Sequence, residues 1–115
     1  MKIDEVGIQT QDVVALAGFY RWLLGAPGAC DDPEHQVVLS EGTSLTIARQ
    51  EGTLPPGGRV CLAFTVADVD AQYQRLLRAG VTVLEPPTDR PWGARNLHFL
   101  DPDGNHLYFR SIPGA

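Results

Sequence analysis

Apolar side chains recur along this 115-residue chain with two periods, and the changes of period mark out its elements. Over residues 3–10, Val6 and Ile8 alternate with Glu5, Gly7 and Gln9, the period-two pattern of a strand. Asp12 then stands where a helix N-cap belongs. Val13, Leu16, Phe19, Tyr20, Leu23 and Leu24 follow at helical spacing, and Gly25 supplies the stop. The same sentence is written again further on. Over residues 60–67, Leu62, Phe64 and Val66 share one face, while Cys61, Ala63 and Thr65 share the other. Asp68 caps a second helix, Val69, Tyr73, Leu76 and Leu77 form its apolar stripe, and Gly80 ends it.

The two copies align at an offset of 56 residues, which sets Glu5 on Cys61, Ile8 on Phe64, Asp12 on Asp68 and Val13 on Val69. A repeat changes the fold expected, and two copies suit a pseudo-symmetric domain rather than a solenoid. More strand follows each helix. In the first copy a loop at 31–33 leads to strands at 36–40 and 44–49, joined by a Glu41-Gly42 turn. In the second, a strand at 82–84 leads into a Pro-rich loop at 86–91 and then a strand at 94–100. The Asp101-Pro102-Asp103-Gly104-Asn105 turn and a closing strand at 106–111 complete it. Thr53 to Gly58, with two prolines and two glycines, is the natural joint. The expected fold is therefore α+β, with paired βαβββ modules forming curved mixed sheets around a cleft and helices on the outer face. One domain spans 1–115, with modules at 1–54 and 59–115. Val6, Ile8, Leu62, Phe64, Leu107 and Phe109 would meet the helices. Glu5, Gln9, Cys61, Thr65, Tyr108 and Arg110 would line the cleft, polar groups of the kind that orient a ligand.

Composition narrows the partners. No apolar run approaches a membrane span, the N-terminus has no secretory pattern and the C-terminus no lipidation signal, so the cytoplasm is the expected location. The net charge of −5 and the absence of any Lys/Arg run argue against nucleic acid. An acidic surface mildly favours a cationic ligand. Cys30 and Cys61 lack the spacing of a redox or zinc motif; free thiols are the plainer reading, with a disulfide left open.

Three stretches in this order resemble the vicinal oxygen chelate superfamily, which includes glyoxalase I, extradiol dioxygenases, fosfomycin-resistance enzymes and bleomycin-resistance proteins. They are Phe19-Tyr20-Arg21-Trp22-Leu23-Leu24-Gly25, Ala63-Phe64-Thr65-Val66-Ala67-Asp68-Val69-Asp70 and the Asp101-Pro102-Asp103-Gly104-Asn105 turn. Pro91-Trp92-Gly93-Ala94-Arg95 before that turn resembles the metal-free bleomycin-resistance branch in particular. The resemblance covers essentially the whole chain. It implies a homodimer whose clefts are commonly shared between subunits.

In metal-dependent members, inward positions on the first and last strands of each module supply ligands, typically His and Glu. Carried over by motif, those positions here are Glu5, Thr46, Cys61 and Tyr108. A threonine hydroxyl is a poor ligand, a tyrosine is protonated near neutral pH, and no histidine is among the four. No metal and no other cofactor is expected. His35 reads as a surface residue. His98 alternates with Leu97 and Phe99 and should face the cleft, either bonding a ligand or satisfied within the fold, and His106 should lie at its mouth.

The residues expected to bind a ligand are Glu5, Gln9, Val38, Thr46, Cys61, Trp92, Asn96, His98, Tyr108 and Arg110, with no catalytic residue assigned. Trp92 would stack on a planar molecule or plug a sheet edge, and Tyr108 would offer a flat face or simply pack. Glu5 would meet a cationic ligand or pair with Arg110 or Arg95. Trp22 would mark a contact surface or a peripheral core position. The leading functional expectation is sequestration of an aromatic antibiotic or related natural product by a metal-independent binding protein. Three alternatives remain: a metal-dependent enzyme (isomerase, thiol transferase or dioxygenase), a metal-free enzyme using Glu5 or His98, and a regulatory domain binding a metabolite.

Overall fold

The computed structural model describes residues 3–50, 52 and 61–112. The chain divides into two compact units, residues 1–56 and 57–115. The expected joint at 53–58 lies outside the described residues.

The first unit contains β1 (Glu5–Thr10), α1 (Val13–Leu24), β2 (His35–Ser40) and β3 (Thr43–Arg49). Its sheet runs β1-β3-β2, with β1 parallel to β3 and β2 antiparallel to it. Asp12 caps α1 by accepting from the Ala15 amide at 3.1 Å. At the other end Gly25 adopts φ 64°, its N–H donates to Trp22 O, and Ala26 N–H donates to Arg21 O. This is a Schellman ending, which asks for the left-handed backbone that glycine adopts without strain. Leu16, Ala17, Tyr20 and Leu23 of the helix, and Val38, Leu45 and Ile47 of the sheet, are buried.

The second unit contains β4 (Leu62–Thr65), α2 (Val69–Arg78), β5 (Val83–Asp89), β6 (Arg95–Leu100) and β7 (His106–Ser111). Its sheet runs β4-β7-β6-β5, with β4 parallel to β7 and the other pairs antiparallel. Asp68 caps α2 at the Ala71 amide, 3.0 Å away. Gly80, at φ 76°, fills the left-handed slot while Val81 N–H donates to Leu76 O and Gly80 N–H to Leu77 O, repeating the Schellman ending. Leu76, Leu97, Phe99, Leu107 and Phe109 are buried, and the Phe99 and Phe109 ring centroids are 4.9 Å apart.

Two expectations are corrected. The first unit is βαββ among the described residues, not βαβββ: no strand forms between α1 and β2. Instead the buried Gln36 side chain holds that segment. Its Nε2 donates to the carbonyls of Cys30 (3.1 Å) and Asp32 (3.0 Å), and its Oε1 accepts from Arg21 Nη1. The second correction concerns the Pro-rich stretch at 86–91. Strand β5 continues through Pro86 and Pro87 to Asp89. It is an edge strand, so the missing amide donors cost no inner ladder. Its register against β6 slips between Val83 and Glu85 and again between Glu85 and Thr88, where the prolines sit.

Candidate functional site

Alternation along the second sheet gives it a helix-facing apolar side and an opposite, chemically rich side. Cross-strand pairing arranges that opposite side into rows. Ala63 pairs with Tyr108, Tyr108 with His98, and His98 with Glu85. In the neighbouring row Thr65 pairs with Arg110, Arg110 with Asn96, and Asn96 with Thr88.

The centre of the first row is a ring stack. The His98 imidazole lies parallel to the Tyr108 phenol, with centroids 4.3 Å apart and an interplanar angle of 9°. His98 Nε2 is also 2.8 Å from His106 Nδ1, a hydrogen bond in which one imidazole donates and the other accepts. Burial, and then the neighbouring His106, push the proton affinity of His98 below its ordinary value; Glu85 opposes that shift and Arg90 adds to it. His98 is therefore held neutral around pH 7. Glu85 is itself engaged by Arg90 in a close ion pair.

In the second row Arg110 Nε donates to Thr65 Oγ1 at 3.2 Å. Asn96 Oδ1 is buried and has no hydrogen-bond donor, the sole such side-chain atom among the described residues. Arg95 is a structural tie rather than a site residue. Its fork grips both Asp70 oxygens (2.9 and 3.0 Å), and its remaining amine reaches Asp89 at 3.0 Å. The Arg95 hydrogen bond lowers the Asp70 carboxyl below its usual range.

The helix-free face of the first unit is plainer. Its rows join Glu5 to Ser44 and Leu39, Gly7 to Thr46 and Val37, and Gln9 to Ala48 and His35. Glu5 Oε1 accepts a 2.8 Å hydrogen bond from the Thr46 hydroxyl. Within their own unit, Arg95 pairs with Asp70 and Asp89, and Arg110 donates from Nε to Thr65.

Of the ten residues expected to bind a ligand, Glu5, Gln9 and Thr46 share this first face, while Asn96, His98, Tyr108 and Arg110 share the second. Cys61 sits just ahead of β4 and is exposed; both cysteines are free thiols. Val38 is a correction. It is 1% exposed and lies on the helix side of β2, because Gln36 and Val38 point inward and leave Val37 and Leu39 (43% and 68% exposed) on the open side. A strand's faces invert with a one-residue slip, and the sequence alone left that choice open. Trp92 is 71% exposed in the turn between β5 and β6, so it does not plug a sheet edge. Trp22 is 39% exposed and packs beside Phe19.

Glu85, Arg90 and the hydrogen bond of His106 were not foreseen. The hairpin held the signal for His106: counting outward from the turn pairs Leu100 with His106 and His98 with Tyr108, which sets the two histidines on one diagonal.

The family model of the glyoxalase/bleomycin resistance protein/dioxygenase superfamily matches residues 2–109. The chain belongs to that superfamily. It is similar to the uncharacterized protein YraH of Bacillus subtilis (strain 168), at 32% identity over 91% of this chain and 94% of that protein. It is also similar to the uncharacterized protein Rv0887c of Mycobacterium tuberculosis, at 46% identity over 56% of this chain and 35% of that protein. Among solved structures, a glyoxalase/bleomycin resistance protein/dioxygenase from Nocardioides superposes with a TM-score of 0.79 at 24% identity, covering 100% of this chain and 86% of that one.

Superfamily membership makes a divalent metal the group to test against these residues. The four corresponding positions do not fit one. Thr46 spends its proton on Glu5, Tyr108 is stacked on His98, and no imidazole or second carboxylate stands among the four. Among the described residues no group of three or more His, Cys, Asp or Glu is placed to hold a metal ion. The His98–His106 pair does not compensate. Its facing nitrogens are directed at each other, and a shared metal would require their lone pairs to converge on a third point.

Proposed function

We propose that this superfamily member is a metal-independent binding protein for a planar small molecule, held on the helix-free face of its second sheet. The observation that carries the reading is the His98–Tyr108 stack, which leaves the outer face of each ring for a further planar group and has the hydrogen-bonding side chains of His106 and Arg110 beside it. Sequestration of an aromatic antibiotic or related natural product is the biological role this favours, exercised by a cytoplasmic homodimer. No helix of the described residues is long and apolar enough to cross a membrane.

A second reading rests on the imidazole pair. A neutral His98 hydrogen-bonded to His106 has the composition of a general acid–base couple, and it supports a metal-free enzyme. One experiment separates the two. Chelator-treated protein is titrated with a panel of aromatic antibiotics while the fluorescence of Trp22 and Trp92 is followed, and the bound compound is then recovered. Saturable binding that is lost in Tyr108→Ala, with the compound chemically unchanged, is the expected result. Conversion of the compound would establish the enzyme, and binding only after adding a divalent metal would overturn the proposal.

A further inference from the structure

We infer that the ligand of the second sheet carries a carboxylate, received end-on by the Arg110 guanidinium beside the His98–Tyr108 stack. The inference rests on the binding reading above and names its ligand class.

Arg110 differs from the three other arginines of the strands and their turns that hydrogen-bond to side chains; Arg21 of α1 also lacks a carboxylate partner but is held by Gln36 Oε1 and the Val37 carbonyl. Arg49 is paired with Glu34, Arg90 with Glu85, and Arg95 with Asp70 and Asp89. Arg110 has no carboxylate partner among the described residues, in a chain with 14 acidic residues and 9 basic ones. Its row neighbours are Thr65, Asn96 and Thr88, all neutral, and the acid of the next row, Glu85, is taken by Arg90. The face therefore presents a guanidinium with no carboxylate of its own, although the chain as a whole is acidic.

The geometry also fixes how an anion would be met. Thr65 Oγ1 occupies Arg110 Nε, which orients the guanidinium and leaves its two terminal amines as a fork. Paired parallel hydrogen bonds from such a fork suit a carboxylate. A second observation comes from the neighbouring row: the Tyr108 hydroxyl has no protein hydrogen-bond partner among the described residues, and its contact is through the ring. A hydroxyl and a cationic fork beside an aromatic stack match a flat, conjugated acid. The net charge of the chain alone pointed toward a cationic ligand, and the charges on this face point the other way.

The test compares 2-naphthoate with its neutral isostere 2-naphthamide, titrated into the full chain and followed by two-dimensional NMR. The expected result is binding of the acid at least ~10-fold tighter than the amide, the scale of one charge-assisted hydrogen-bond pair. Arg110→Gln should bring the acid down to the amide and leave the amide unchanged. Arg110→Lys should keep part of the preference through charge alone. Unaltered NMR spectra of the free variants confirm that they fold. Equal affinity for acid and amide in the wild-type chain, or a preference that survives Arg110→Gln, overturns the carboxylate inference while leaving planar binding intact. Absence of binding by both compounds overturns the carboxylate inference and the binding reading together.

Discussion

The two units start from one template and finish it differently. Both cap a helix with Asp (12 and 68), end it with a left-handed Gly (25 and 80), and run their first strand parallel to their last. The second unit then adds β5 as a fourth strand, while the first replaces it with a coil pinned by Gln36. The chemistry follows the added strand. Glu85 enters the His98 row through β5, and Thr88 completes the row of Arg110 and Asn96. The first unit's corresponding face offers one Glu5–Thr46 hydrogen bond and exposed Val37 and Leu39. Similar backbones carry few paired polar groups on the open face of one unit and a concentration of polar and aromatic groups on that of the other.

The largest expected effect that sharpens this comparison lies in the second unit's hairpin. Asp101 Oδ1 accepts from the amides of Asp103 and Asn105, and its Oδ2 accepts from the Asn105 side chain. Asp101→Ala should cost about 3 kcal/mol in denaturant unfolding, since a neutral hydrogen bond contributes about 1 kcal/mol net and three are lost. A cost near zero would mean the turn is held by its backbone alone. Gln36→Ala comes next. Stranding the Cys30 and Asp32 carbonyls should cost about 2 kcal/mol. Native-state hydrogen exchange should speed up in β2 while the β6–β7 amides stay protected. Equal loss in both sheets would break the division of roles.

The helix ends give a matched pair. Gly25→Ala and Gly80→Ala both force a side chain into left-handed backbone, at about 1 kcal/mol each with no steric clash to add. Thermal unfolding that ranks them far apart would show that the two endings are not equivalent.

The smallest effect is a pH dependence. His98 binds its proton less readily in the folded chain than its ordinary pKa of 6.5 implies, because it is buried beside His106; Arg90 adds to this and Glu85 opposes it, with the Tyr108 ring stacked over it. The unfolded chain therefore binds more protons in that window, and stability rises with pH. The contribution is present above pH ~6.5 and is lost as pH falls toward the folded-state pKa. Denaturant midpoints taken downward from pH 7 should fall less steeply in His98→Gln, and identical slopes would contradict the burial argument.

Much of this was legible in the sequence because it is local. Asp caps, glycine stops, period-two runs and the Asp-Pro-Asp-Gly-Asn turn each act within a few residues, and the elements fall where they place them. What escaped depends on contacts between elements. Pro86 and Pro87 read as a loop, since a sequence does not say which strand will lie at an edge, and that hid Glu85. Val38 was set on the wrong face because a short run with apolar residues at 37, 38 and 39 has no unique phase. The partner of Glu5 was missed because Thr46 lies on the adjacent strand, 41 positions away in the chain. His98 lies on the side opposite buried Leu97 and Phe99, a placement that alternation alone decides, but its stack on Tyr108 needs the cross-strand register.

The central claim is that the second sheet's open face, rather than the first's, is where a planar acid binds without metal. An NMR titration of the chelator-treated full chain with 2-naphthoate tests it most directly. The account predicts saturable shifts in the side-chain signals of His98, His106, Tyr108 and Arg110, with Glu5, Gln9 and Thr46 unmoved. Shifts centred on Glu5 and Thr46, or shifts that require an added divalent ion, would contradict it.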